Sequence, residues 1–282
     1  MAETKAKKTA TKKNVASAKK TSDKVDVKGK TSKKQLSEKE VKKAKERVLV
    51  ATNKPIEYFY VVGENKIHGV EYVEVQQYLN DKFSGRVIQQ QYFQIAEQSK
   101  RIFDLNKLML EQVLEDYLKF ERVKFMIQIT PKWFSTAVLH EQLLNYVYTF
   151  KDKVILCLDA SSLISGGKKA KDGIKKIAKE YHTKILLDNV EMQNLAQVIG
   201  YHADYVRLDA RFIDKSDENY TQVFKFIKDY LKAQNSKLVV KNVKDDAQKF
   251  YFINNGADVV EGNGVYTPKK LISSIAKDYK IK

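Results

Sequence analysis

A single TIM-like (β/α)8 barrel, preceded by a basic tail, is the α/β architecture that the sequence predicts. Three observations point to it. Short apolar runs alternate with amphipathic helical stretches from about residue 54 onward, and each strand plus helix takes about 30 residues, the spacing of a βαβ unit. Six or more such units recur without a Gly-x-Gly-x-x-Gly turn, which favours a closed barrel over an open dinucleotide-binding sheet. The chain has 282 residues, 43% of them hydrophobic, enough for one barrel of about 250 residues.

The tail comes first. Residues 1–47 hold sixteen Lys and one Arg against six acids, a net +11 that leaves +6 for the remaining 235 residues of this +17 chain. Residues 1–36 are mostly Lys, Ala, Thr and Ser, lack aromatics, and have Leu36 as their one Leu. Such a segment buries too little apolar surface to offset its ordering entropy, so it is expected to be disordered. Ser37 and Glu40 have capping-box spacing and predict a short helix to about Glu46. The boundaries expected are therefore a tail over 1–47 and a barrel domain over 48–282. The tail's lysines fit a solubilising extension, or weak contact with a polyanion such as nucleic acid. Without aromatics, that contact would be independent of sequence.

The barrel elements follow in order. Tyr58–Val62 reads as a strand, Gly63-Glu64-Asn65 as a turn, and His68–Val75 as a second strand, together a hairpin. Tyr92–Ala96 and Ile102–Leu118 read as helices, the second with Leu105, Leu108, Met109, Val113 and Leu114 on one face. Strands are expected at Lys124–Ile129, Val154–Leu158, Lys184–Leu187, Tyr205–Leu208, Lys237–Val240 and Ala257–Val260. Between them lie helices at Gly173–Tyr181 and Tyr220–Ala233. Ser161-Ser162 reads as a helix cap, and Gly166-Gly167-Lys168-Lys169 as a turn before a basic helix, since it lacks Walker spacing. Trp133 reads as a packing residue.

Chemistry in such a barrel sits at the C-terminal ends of the strands. Reading those ends gives Gln128 and Thr130, Cys157 and Asp159, Asp188 and Asn189, Arg207 and Asp209, Lys241, and Glu261. Carboxylates and cations both occur among them, so mutual pairing is one expectation and a binding pocket the other. His68, His140, His182 and His202 lack zinc-ligand spacing. Cys157 is the one cysteine, expected to be buried and unreactive. No disulfide can form within the chain, no secretory signal is seen and no run of 18 apolar residues occurs, which leads to an expected cytoplasmic location.

Several segments, in order, resemble the EAL domain of cyclic di-GMP phosphodiesterases. Tyr92-Phe93-Gln94-Ile95-Ala96-Glu97, Ile102–Leu105 and Leu110-Glu111 resemble its apolar-Ala-Glu signature and the helix after it. His68–Val73 lies where the family has Gly-x-Glu-Ala-Leu, and Phe125–Pro131 at its Val-Asn-x-Ser-Pro strand. Val154–Leu163 lies at Glu-Ile-Thr-Glu, Leu187–Asn189 at Asp-Asp-Phe-Gly, and Tyr205–Asp209 at Leu-Lys-Ile-Asp. Val239–Lys244 lies at Ala-Glu-Gly-Val-Glu and Gly256–Gly262 at Gly-x-x-x-x-Gln-Gly. The resemblance covers about residues 55–280 and implies an EAL-type barrel with one antiparallel strand.

What the resemblance implies about function is subtractive. EAL phosphodiesterases use Mg²⁺ or Mn²⁺ held by a dense set of oxygen ligands. Here Glu71 and Asp188 match. Gln128 stands for an Asn, Cys157 for a Glu, Asn189 for an Asp, Arg207 for a Lys, Lys241 for a Glu and Glu261 for a Gln. An arginine cannot lose its proton near pH 7, and a Lys241 ammonium would repel a divalent cation. No metal or other cofactor is expected. Arg207 and Lys241 are expected to pair with Asp188, Asp209 or Glu71 in a vestigial pocket. The family's ligand-contacting Arg, two residues after the motif, corresponds to Val75. Three readings follow: a non-catalytic EAL-like protein that acts by contact with a protein partner, a cyclic di-GMP sensor without hydrolysis, and an active phosphodiesterase. EAL barrels often form homodimers, although no dimer signature is visible in these residues.

Overall fold

A computed structural model describes residues 56–81, 85–98, 101–201, 203–212 and 218–281. The expected tail, its helix and the boundary at residue 47 lie outside the described residues. Strand β1 (Glu57–Asn65) and strand β2 (Val70–Asp81) form an antiparallel hairpin. Both are longer than the sequence predicts. Gly63-Glu64-Asn65 still belongs to β1, and the turn is formed by the residues that follow, with Asn65 Oδ1 accepting from the backbone N–H groups of Ile67 and Gly69.

A short strand β3 (Gly85–Ile88) then pairs with the far end of β2. The parallel strands are β4 (Phe125–Gln128), β5 (Val154–Asp159), β6 (Lys184–Asp188), β7 (Tyr205–Asp209), β8 (Lys237–Lys241) and β9 (Val259–Val260). The sheet order is β1-β9-β8-β7-β6-β5-β4-β2-β3, and the β1–β2 pairing closes eight of these strands into a ring. β1 is antiparallel to both β2 and β9. This is the EAL-type, TIM-like barrel expected, with its one reversed strand.

Parallel strands in a barrel are covered on both faces and so carry near-continuous apolar runs. In β5, Val154–Leu158 are all buried. The inward set comprises Tyr72, Met126, Ile155, Cys157, Leu186, Tyr205, Val239 and Val259. The outward set, including Val73, Ile127, Leu156, Leu187, Val206 and Val240, packs under the helices. Cys157 is fully buried, and burial pushes its thiol pKa well up.

The helices are α1 (Gln89–Gln98), α2 (Ile102–Tyr117), α3 (Ala137–Phe150), α4 (Ala160–Tyr181), α5 (Met192–Val198), α6 (Glu218–Ala233), α7 (Asp246–Asn254) and α8 (Ile272–Asp278). In α2, Leu105, Met109 and Val113 are buried as expected, with Leu110 beside them, whereas Leu108 and Leu114 are only half-buried. Helix α4 begins before the basic stretch, so Ser161-Ser162 lies inside it. Asp159 is its cap, with Oδ1 accepting from the Ser162 N–H at 2.8 Å. Gly167, at φ 62° and ψ −150°, kinks α4 instead of preceding it. Among the described residues, no helix is long and apolar enough to cross a membrane.

Candidate functional site

β7 delivers Arg207 to the middle of the barrel. Its neighbours in the strand, Val206 and Leu208, face outward into the core, so alternation turns the guanidinium inward. It is 2% exposed, and every nitrogen has an acceptor. Nε and Nη2 donate to the two oxygens of Asp188 at 2.9 and 2.7 Å, the bidentate geometry that favours arginine over lysine. Nη1 donates to Glu261 Oε1 and Oε2 at 3.1 and 3.2 Å. Glu74 is reached by Nη1 and Nη2 at 3.2 and 3.3 Å. Nη2 also lies 3.5 Å from the Cys157 sulfur.

Lys241, at the end of β8, joins the same group. Its Nζ donates to Asp188 Oδ1 at 2.7 Å and to Asn189 Oδ1 at 2.6 Å. Asn189, at φ 54°, donates its side-chain amide to Asp159 Oδ2 at 2.8 Å. Tyr72 donates its hydroxyl to Glu261 Oε1 at 2.5 Å. The buried group thus holds three carboxylates (Glu74, Asp188, Glu261) against two cations (Arg207, Lys241).

The balance of charge and burial shows in the titration of Asp188, Arg207 and Glu261. Burial alone would raise the Asp188 pKa, but Arg207 and Lys241 pull it well below the usual carboxylate range. Burial opposes the charge of Arg207, yet Asp188, Glu261 and Glu74 hold its pKa well above the ordinary value. Glu261 takes the surplus negative charge. Its burial and the nearby Glu74 carboxylate push its pKa up to about 7, against the pull of Arg207 and the Tyr72 hydroxyl.

Of the residues expected in the pocket, Cys157, Asp188, Asn189, Arg207, Lys241 and Glu261 come together. Gln128 ends β4 half-buried, and its backbone carbonyl accepts from Asn106 Nδ2 at 3.1 Å. Asp209 is apart from the Arg207 group. Arg211 and Asn242 bind it, the latter at 2.8 Å, and against its burial they hold its pKa below the usual range.

Glu71 requires correction. It faces the N-terminal ends of β7 and β8, where Tyr205 and Lys237 donate to its Oε1 at 2.8 and 2.5 Å. The reason is local. Gly63 pairs with Tyr72 and Glu64 with Val70, so Glu71 sits at a β-bulge and points away from the mouth. Glu74, three residues on, is the glutamate of β2 that reaches Arg207. This moves the matched tripeptide from Glu71-Tyr72-Val73 to Glu74-Val75-Gln76, and the position two residues later from Val75 to Tyr78. The missed signal was in the alternation: Tyr72, Glu74, Gln76 and Tyr78 share one face of β2, opposite Val73, Val75, Gln77 and Leu79.

That inward face continues past the buried group. Phe59 lies directly opposite Gln76 in the β1–β2 ladder, so it shares the face with Tyr78, and their ring centroids are 4.6 Å apart. Arg86 from β3 places its guanidinium 4.8 Å from the Phe59 ring and 5.7 Å from that of Tyr78. Lys270 stands 5.6 Å from Phe59. A half-exposed aromatic and cationic wall therefore stands above the ring of buried charges.

The EAL domain family profile matches residues 59–268. Comparison with curated protein sequences gives no match. Among solved structures, the EAL enzyme Bd1971 in its cAMP- and cyclic-di-GMP-bound form is 16% identical. Its TM-score is 0.74, and 87% of this chain covers 70% of that one. An EAL domain protein from Listeria monocytogenes EGD-e is 15% identical, with a TM-score of 0.71 and coverage of 88% and 99%. The FimX EAL domain from Pseudomonas aeruginosa, bound to c-di-GMP, is 12% identical, with a TM-score of 0.70 and coverage of 82% and 97%. At these identities the likeness is one of fold.

Proposed function

The chain belongs to the EAL domain family, and on that premise we propose that it is a non-catalytic member, which acts by binding a partner and not by hydrolysing a cyclic dinucleotide. One observation carries this reading: the Arg207 guanidinium lies among Glu74, Asp188 and Glu261 and engages all three. A magnesium or manganese ion needs such oxygens for itself. With Arg207 and Lys241 already bound to them, the residues present do not fit a divalent cation. At an effective dielectric near 20, two unit charges about 4 Å apart repel by roughly 4 kcal/mol, and a divalent ion by about twice that. Swinging Arg207 out would not free the site cheaply, because it would leave buried carboxylates unpaired. The partner we propose is a protein, and the Lys-rich first 47 residues add weak attraction to polyanions.

A second reading keeps cyclic di-GMP as a ligand without cleavage. The wall of Phe59, Tyr78 and Arg86 favours it, because rings can stack with a base and a guanidinium can meet a phosphate. Two measurements on the full chain test both readings. Incubation with cyclic di-GMP and Mg²⁺ or Mn²⁺ is expected to give no linear product above background, and turnover would overturn the proposal. Calorimetry at low salt separates the rest: micromolar binding would move the sensor reading ahead of the protein-contact reading.

A further inference from the structure

The second half of α4 carries six lysines in twelve residues: Lys168, Lys169, Lys171, Lys175, Lys176 and Lys179. Lys171 lies 5.3 Å from the Tyr201 ring, and the other five are exposed. Asp172 and Glu180 are the acids on this stretch, yet among the described residues neither closes an ion pair with any of the five. Several lysines elsewhere in the fold do find partners. Lys66, Lys184, Lys228, Lys237, Lys241, Lys249 and Lys270 all lie against carboxylates. The run on α4 is thus a predominantly positive surface, with Asp172 inside the lysine arc and Glu180 at its edge.

The helix fixes where that charge points. Ala170, Gly173, Ile174 and Ile177 are buried against the barrel, and at 100° per residue the five exposed lysines fall within about a third of the circumference on the other side. Lys168, Lys175 and Lys179 form one line, with Lys169 and Lys176 beside it. From Lys168 to Lys179 is about 17 Å at 1.5 Å per residue. One strand of a nucleic-acid duplex carries a phosphate every 3.4 Å along the axis, roughly five over that length.

We propose that this face of α4 binds the phosphate backbone of a nucleic-acid duplex without reading its sequence. Single strands fit less well. They are held by stacking on aromatic side chains, and the exposed face of α4 has none. An anionic membrane fits less well too. An interfacial helix buries an apolar face in the bilayer, and the apolar face of α4 is already spent on the barrel. Lysine suits the role, because a point charge on a flexible stem follows a backbone without fixing a register.

The test uses the full chain and a fluorescein-labelled duplex of about twenty base pairs, read by anisotropy between about 50 and 200 mM salt. Lys168, Lys169, Lys175, Lys176 and Lys179 are changed together to Gln. Their exposure predicts an unchanged thermal midpoint. The expected result is a slope of log K against log salt that is shallower by about 4, with affinity at the lowest salt reduced at least about a hundredfold. The amino-terminal lysines, present in both proteins, account for the slope that remains. Conversely, Asp172→Asn with Glu180→Gln should tighten binding. A slope unchanged by the five substitutions would overturn the proposal. So would preferential capture by vesicles containing phosphatidylserine, or failure of the unaltered chain to bind duplex at all.

Discussion

Arg207 shows how one side chain can tie three buried carboxylates together. A buried ion group is not in itself strong evidence of stability, since desolvation offsets most of the attraction. Removing one member is different, because the charges left behind have no partner. Arg207→Leu strands Glu74, Asp188 and Glu261 with only Lys241 near Asp188, and should cost about 3–5 kcal/mol in urea unfolding. Arg207→Lys should cost less. An ammonium keeps the charge but has three donors, and cannot make the two-point contact with Asp188. Equal losses for the two variants would mean that packing, not charge, explains the position. The resemblance of the sequence to EAL domains implied that Arg207 stands where a lysine is usual. It could not show which acids Arg207 meets, because these come from β2, β6 and the end of β9, up to 133 residues away.

Helix α4 shows what an element adds to its residues. Two of its glycines are needed for opposite reasons. At Gly173, a Cβ would lie 2.4 Å from Phe134 Cδ1, so α4 rests directly on the ring of Phe134. At Gly167 a Cβ would meet nothing within 4 Å, but φ 62° with ψ −150° is a backbone state open almost solely to glycine. Gly173→Ala should destabilise by about 1–3 kcal/mol through overpacking, and Phe134→Leu should relieve part of that loss. Gly167→Ala should cost a similar amount, about 1–3 kcal/mol, through backbone strain, with no relief from Phe134→Leu. Thermal denaturation of the four variants, single and double, checks both, and relief at both glycines would contradict this division. From sequence, Gly166-Gly167 read as a turn, because the kink is real but the helix resumes beyond it. Helix α3 went unread although Leu143, Val147 and Phe150 follow helical spacing. Its aromatic and β-branched residues blur the pattern against a strand. α5 has seven residues, too few for periodicity to show.

For the whole molecule, the barrel was legible because most of the parallel strands are short apolar runs, β7 being broken by Arg207, and closure followed from the number of repeats. The register at the mouth was legible only in part. The alternation of Tyr72, Glu74, Gln76 and Tyr78 marks the inward face of β2, but nothing in the sequence marks the bulge at Glu71. Such a shift matters because the buried group has a surplus negative charge, which should govern how stability varies with pH. Above its unfolded pKa of 4.5, the Glu261 carboxyl of an unfolded chain is ionised, whereas the folded protein keeps the proton until about pH 7. Between these values the folded state binds more protons, so stability falls as pH rises, by up to about 3 kcal/mol. Asp116, whose pKa burial raises, acts in the same direction. His140, whose pKa burial and Lys176 lower, acts the other way below pH 6.5. The depressed carboxylates Asp188, Glu64, Glu71, Asp209 and Asp258 stabilise the fold above their unfolded pKa and withdraw that stability only at more acid pH. Comparison with Glu261→Gln isolates the one group, since the other titrations are common to both proteins. The amide can still accept from the Tyr72 hydroxyl and leaves Glu74 and Asp188 balanced by Arg207 and Lys241. Urea unfolding at steps from pH 4.5 to 8 should show the variant gaining on the parent by up to about 3 kcal/mol. A constant difference across that range would mean that Glu261 is ionised throughout and that Arg207 outweighs its burial.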